Sequence, residues 1–176
     1  MRTILILIGL LLAAPHAIAE VDCAALFAEH LETDLGLSYH EFDQTPRQGF
    51  RSLAGAGCPA EAADLIERYI EETGATEGSL MWHIAQLRAV AGDYEAAIAA
   101  ARRCIREDDT GDFRWNDYVY GTIAFLQRDR QALIRFRDAV AAGVDDHHGN
   151  AMNVRLLNAM VEHFDEDYAY ATSQVE

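Results

Sequence analysis

The sequence predicts an all-α fold: a helical repeat of about three helix pairs, with flanking helices at the N- and C-terminal ends. Three observations lead there. Residues 91–98, Ala-Gly-Asp-Tyr-Glu-Ala-Ala-Ile, are echoed 34 residues earlier by Gly57-Cys58-Pro59-Ala60-Glu61-Ala62-Ala63 and 36 residues later by Gln127-Arg128-Asp129-Arg130-Gln131-Ala132-Leu133-Ile134. A fixed period of roughly 20 to 50 residues marks stacked supersecondary units, none of which buries its apolar face without neighbours. Elsewhere apolar residues recur three and four positions apart, as on one face of a helix, and no stretch alternates as a half-buried strand would.

The elements follow in order. Arg2, an apolar run over residues 4–14 and the small-x-small site Ala17-Ile18-Ala19 have the form of an export signal. That run is too short for a membrane-spanning helix. Cleavage after Ala19 leaves residues 20–176 as a single domain, long enough to bury a core. Cys23 follows Glu20-Val21-Asp22 rather than the small residues of a lipid-attachment site. The expectation is a soluble protein, periplasmic or secreted, with no membrane insertion after cleavage.

Residues 22–36 read as a helix capped by Asp22, with Leu26, Phe27, Leu31 and Leu35 on one face and Gly36 as its stop. Over residues 37–45, Tyr39, His40 and Phe42 interleave with Glu41 and Asp43, which suits a loop or short turn packing aromatics. Pro46 fits the first turn of a helix over 46–56. Cys58-Pro59 opens the next helix, whose stripe runs from Ala62 to Ile70 before Gly74 stops it. The second pair spans 79–91 and 94–106 around Gly92. After a loop at 108–112 the third pair covers 113–127 and 129–142, with Gly143 as the stop. A last helix over 150–164 carries Met152, Leu156, Leu157, Met160 and Phe164, and the tail either pairs from Tyr168 or frays.

Residues 46–143 resemble the tetratricopeptide repeat (TPR) family, most closely over 79–106. Gly92 stands at that family's inter-helix turn, Tyr94 at its aromatic position, and Ala85, Ala97 and Gly121 at its small positions. Arg51, Leu133 and Ala101 depart from the pattern: the first two are large where the family is small, and Ala101 is small where an aromatic is usual. The resemblance implies a scaffold that binds a protein or peptide partner through a concave groove lined by the first helix of each pair. The inward positions carried over are Gln48 and Ser52, then Trp82 and Gln86, then Trp115, Tyr118 and Thr122. Helical spacing separately puts Trp82 with Gln86, and Trp115 or Tyr118 with Thr122, on shared faces. Aromatics at such spacing also fill cores, and that reading stands beside the groove. Arg51 either pairs with Glu41 or Asp43 to pin the preceding loop or anchors a ligand carboxylate.

The repeat register also bears on Cys23, Cys58 and Cys104. Cys58 lies at a turn and Cys104 near the far end of the next repeat's second helix, about 20 Å of helix away, beyond disulfide reach. The expected pair is Cys23–Cys58, with Cys104 a buried free thiol; export permits such a bond.

The net charge is −15 with histidines neutral, and every fixed basic side chain is Arg. Such a field repels nucleic acid and anionic membranes, keeps the chain soluble and favours a basic or cationic partner. Asp145-Asp146-His147-His148 has metal-ligand residue types, but adjacent loop residues rarely converge on one ion, so no metal is expected. No Gly-rich phosphate loop, nucleophile elbow, paired-cysteine zinc motif or metalloprotease His-Glu motif occurs. Binding without catalysis or cofactor, by a monomer or weak homodimer, is therefore the expectation. The alternatives are a hydrolase-type envelope enzyme on the helical array and a module that self-associates through an open end.

Overall fold

The computed structural model describes residues 21–108 and 111–175; the expected export signal at 1–19 lies outside them. Among the described residues every regular element is helical: α1 (Cys23–Thr33), α2 (Phe50–Gly55), α3 (Pro59–Thr73), α4 (Gly78–Val90), α5 (Tyr94–Arg102), α6 (Trp115–Leu126), α7 (Arg130–Ala142), α8 (His148–Glu162) and α9 (Tyr168–Ser173), with a π-helical turn, His40–Gln44, between α1 and α2. Helices α2–α3, α4–α5 and α6–α7 form adjacent pairs, and α3 packs on α4, α5 on α6 and α7 on α8. The fold is thus an all-α, repeat-like stack. Helix α1 lies on α3, while α9 packs on α8 and reaches back to α4. No helix among the described residues is long and apolar enough to cross a membrane.

The repeat is visible in the backbone of the three inter-helix turns. Gly57, Gly92 and Arg128 take positive φ values of 86°, 82° and 60°. In each turn the following N–H reaches back five residues: Cys58 to Leu53 O at 3.0 Å, Asp93 to Arg88 O at 2.9 Å, and Asp129 to Ala124 O at 2.9 Å. The positive-φ residue itself donates to the carbonyl three back, at Ala54, Ala89 and Phe125. This paired closure is the Schellman motif, which satisfies carbonyls that the helix end leaves open. It sets the register as Gly57, Gly92 and Arg128, so the first interval is one residue longer than the sequence match suggests. Asp93 and Asp129 then cap the next helix, accepting from Ala96 N and Ala132 N at 3.1 and 2.9 Å.

Several boundaries differ from expectation, each for a local reason. Helix α2 starts at Phe50, not residue 46, because Thr45 before Pro46 is extended (ψ 120°). Ahead of it, the π-helical turn drives Phe42 into the core, stacked on Tyr69 at 3.8 Å. Helix α5 ends at Arg102, four residues short. Helix α8 begins at His148, where the His147 ring accepts from Gly149 N. In the tail, Asp167 caps α9 at Tyr170 N.

Helix α6 lies at the centre; all of Gly121–Leu126 is buried. A Cβ on Gly121 would stand 2.8 Å from Leu157 Cδ2, so the Leu157 side chain of α8 lies directly against the α6 backbone there. Leu133, large where the repeat pattern is small, is fully buried.

Cys23 and Cys58 stand at disulfide distance, with Cα atoms 5.5 Å apart and a sequence separation of 35. Cys104 is half-buried rather than buried. Closing a loop of that length restrains the unfolded chain by about 3–4 kcal/mol. Replacing both Cys23 and Cys58 by Ala should lower the urea-unfolding free energy by about that amount; an unchanged midpoint would show that the link between α1 and α3 contributes nothing.

Candidate functional site

The seven residues expected to line a groove do not form one. Trp82, Tyr118 and Thr122 are buried at 6%, 2% and 3% exposure, and the Thr122 hydroxyl is turned back onto Tyr118 O. Tyr168 of α9 covers this side. Its N–H donates to the Tyr94 hydroxyl at 3.1 Å, and its own hydroxyl faces Gln86. Burial, with the neighbouring Tyr168, pushes the Tyr118 phenol well above the ordinary tyrosine range. The face of α4 and α6 that the family resemblance leaves open is therefore occupied by the chain's own C-terminal helix. Gln48 is exposed and Ser52 half-buried, and neither lines the cleft that does exist.

That cleft, about 590 Å³, opens between the first half of α4 and the connection from α5 to α6. Trp82 and Met81 form one wall, Trp115 closes the end, and Arg103, Ile105 and Arg106 form the other wall. The tryptophans meet edge to face with ring centres 5.2 Å apart, and Tyr118 packs against Trp82 at 5.3 Å. Trp115 Nε1 donates to Cys104 O at 2.8 Å. Asn116 accepts from Arg106 N at 2.9 Å and donates to Arg106 O at 2.8 Å. These bonds hold the connection as a fixed shelf. The Arg106 guanidinium lies over the Trp115 and Phe113 rings, 5.3 and 5.6 Å from their centres. Among the described residues neither Arg103 nor Arg106 forms an ion pair. A second cleft, about 520 Å³, lies across Ile105 and is lined by Arg102, Tyr120, Arg135 and Phe136.

Beside the first cleft sits a buried polar cluster. Asp43, wholly buried, faces α2 and α4. Its Oδ1 accepts from Arg51 Nη2 at 3.0 Å and lies 3.1 Å from His83 Nε2. Its Oδ2 accepts from Gln44 and from the Ser79 hydroxyl, and Arg51 Nε donates to its backbone carbonyl. Arg51 thus pairs with Asp43, pinning the π-helical turn to α2 and α4. His83 and Ser79 line the cleft, but His83 Nδ1 is already 3.3 Å from Gln86 Oε1 and both Asp43 oxygens are engaged. Burial holds the His83 imidazole below the ordinary histidine range, against the upward pull of Asp43; the Arg51 charge adds to the lowering.

Other chemically suggestive groups have local duties. Cys104 donates to Ala100 O, and burial pushes its thiol up to about 11. The ligand atoms of Cys23, Cys58 and Glu61 lie within 4.8 Å of one another, but the sulfurs are joined to each other and offer no thiolate to a metal. His147 caps α8 and packs on Phe113 at 4.6 Å. Sequence reasoning found Trp82 and Trp115 but missed Met81, Arg103, Ile105 and Arg106. The available signal was Arg102-Arg103 and Arg106 closely spaced in an acidic chain. Comparison with known protein families, with curated proteins and with solved structures finds no match for this chain.

Two measurements check this geometry. Trp82→Ala should cost about 3–5 kcal/mol in chemical denaturation, as for a core aromatic, and Trp115→Ala, half-exposed, distinctly less. His83 binds its proton less readily folded than unfolded, so stability is retained above its unfolded pKa of about 6.5 and lost as pH falls below it. The melting-temperature advantage of the wild type over His83→Gln should therefore shrink between about pH 7.5 and about pH 5.5; a gap that widens on acidification contradicts the assignment.

Proposed function

We propose that this chain is an exported, TPR-like scaffold, periplasmic or secreted, that binds a protein or peptide partner and carries out no catalysis. The observation that carries the reading is the cleft between α4 and the α5–α6 connection, with two tryptophans on its walls and a rim of arginines that form no ion pair among the described residues. Aromatics and arginine supply most of the binding energy at protein interfaces because they offer large contact area and directional donors. With the concave side covered by Tyr168, docking moves from the groove to this cleft. The Asp43 cluster supports binding over hydrolysis: both carboxylate oxygens are engaged by Arg51, His83, Gln44 and Ser79 within the cluster. The Cys23–Cys58 pair fits an oxidising compartment.

Site-specific photo-cross-linking in cells exporting the full chain tests the proposal. Benzoylphenylalanine at Met81 or Ile105, both in the cleft, should give discrete heavier adducts. The same probe at Met152, 60% exposed on α8, should give none. Equal labelling at all three positions, or none at the cleft, would remove the reading.

A further inference from the structure

Nine of the fourteen arginines lie between Arg88 and Arg137 in a chain whose net charge is −15. Several of them edge the two clefts that meet at Ile105. Arg103 and Arg106 line the first, and Arg102 and Arg135 the second. None of these four has a carboxylate ion-pair partner among the described residues. Both clefts share one device. Arg106 lies over Trp115 at 5.3 Å in the first, and Arg135 over Phe136 at 4.8 Å in the second. A guanidinium stacked on a ring has its plane fixed while its N–H edge stays open for a carboxylate. Asp129 is the one acidic residue lining either cleft among those described, and its Oδ1 already accepts from Ala132 N. The backbone beneath Arg106 is held at both N–H and carbonyl by Asn116, so this cation is presented from a fixed base.

Resting on the binding role proposed above, we infer that the two clefts form one docking surface for an acidic peptide segment. The segment's carboxylates pair with Arg103 and Arg106 on one side of Ile105 and with Arg102 and Arg135 on the other. Its apolar side chains enter beside Trp82 and Met81 and beside Tyr120 and Phe136. A basic segment, which the overall charge alone favours, would set like charges against four guanidiniums. An acidic segment meets long-range repulsion from the rest of the chain, but at about 150 mM salt the screening length is about 8 Å. Contact-range pairing then decides selectivity.

The test uses three fluorescein-labelled peptides of one pattern, a polar residue alternating with Leu and Phe, capped at both ends. They carry Glu, Gln or Lys at the alternate positions, and binding is followed by anisotropy at about 150 mM salt. The Glu peptide should bind, with the Gln and Lys peptides at least about tenfold weaker. Arg103→Gln with Arg106→Gln, and separately Arg102→Gln with Arg135→Gln, should each weaken the Glu peptide by about tenfold or more. Arg68→Gln with Arg155→Gln makes the same change in charge outside both clefts and should leave affinity unchanged. Equal loss in that control reduces the effect to diffuse charge and overturns the inference. So does a Gln or Lys peptide that binds as well as the Glu peptide, or no binding by any of the three. In those cases the cross-linking at Met81 and Ile105 still decides the binding role separately. A dimer in light scattering that both cleft double variants abolish would assign the surface to a second copy of this chain and likewise overturn it.

Discussion

A two-helix unit buries only one side of each helix, and every other apolar face needs a neighbour before it leaves water. Most features of this chain answer that constraint. The three turns close with the same pair of backbone hydrogen bonds, so each pair leaves its turn in the same geometry and stacks on the next. Helix α6, with Gly121–Leu126 wholly buried, is the unit with neighbours on most sides. The outer units need covers. Helix α1 covers α3 and is tied to it through Cys23 and Cys58. At the other end, α8 packs on α6 and α7, and α9 turns back so that Tyr168 fills the space between Tyr94, Gln86 and Tyr118.

The third turn shows how strong the constraint is. Arg128 holds a left-handed conformation that β-carbon-bearing residues avoid, where the other two turns have glycine. Its side chain compensates. The guanidinium donates to the carbonyls of Phe164 and Glu166 and lies over Tyr94, Phe125 and Phe164. An awkward backbone angle thereby becomes a fastener between the third pair and the segment leading into α9.

Much of this was legible in the sequence, and the gaps have physical causes. Periodicity locates helices because burial on one face imposes it, and Gly92 and Gly57 mark turns because positive φ selects glycine. The Cys23–Cys58 pairing followed from where a register puts turns and helix ends. The early end of α5 left no such mark. No Gly or Pro stands within eight residues after Arg102; what stops the helix is competition for its backbone, with Trp115 taking Cys104 O and Asn116 taking both groups of Arg106. These are contacts between a connection and the helix after it, and spacing within either does not reveal them. The covered groove was equally hidden. Tyr168 sits in a short tail whose propensity permits fraying, and its docking rests on residues 74 to 82 positions away. Arg51 shows the reverse: its misfit with the repeat pattern was visible, and its partner among Glu41 and Asp43 was settled only by the π-helical turn that brings Asp43 inside.

The short α5 and the covered concave side are linked consequences. Helix α4 has 13 residues, while α5 has nine before its backbone is captured by α6. The missing turn leaves α4 and α6 uncovered along part of their length, and the 103–106 segment crosses that gap instead of filling it. Two clefts result, one on each side of Ile105. Apolar surface in a gap of this kind is normally removed by packing. Here Trp115 and Phe136 are instead each roofed by an arginine, whose guanidinium lies over the ring. Such a roof shields the rings without closing the cleft. In a chain of net charge −15 these arginines are the local exception to the overall sign. The exposed cations and their aromatic neighbours therefore gather where the stack is incomplete, on another side from the α4 and α6 face that α9 covers.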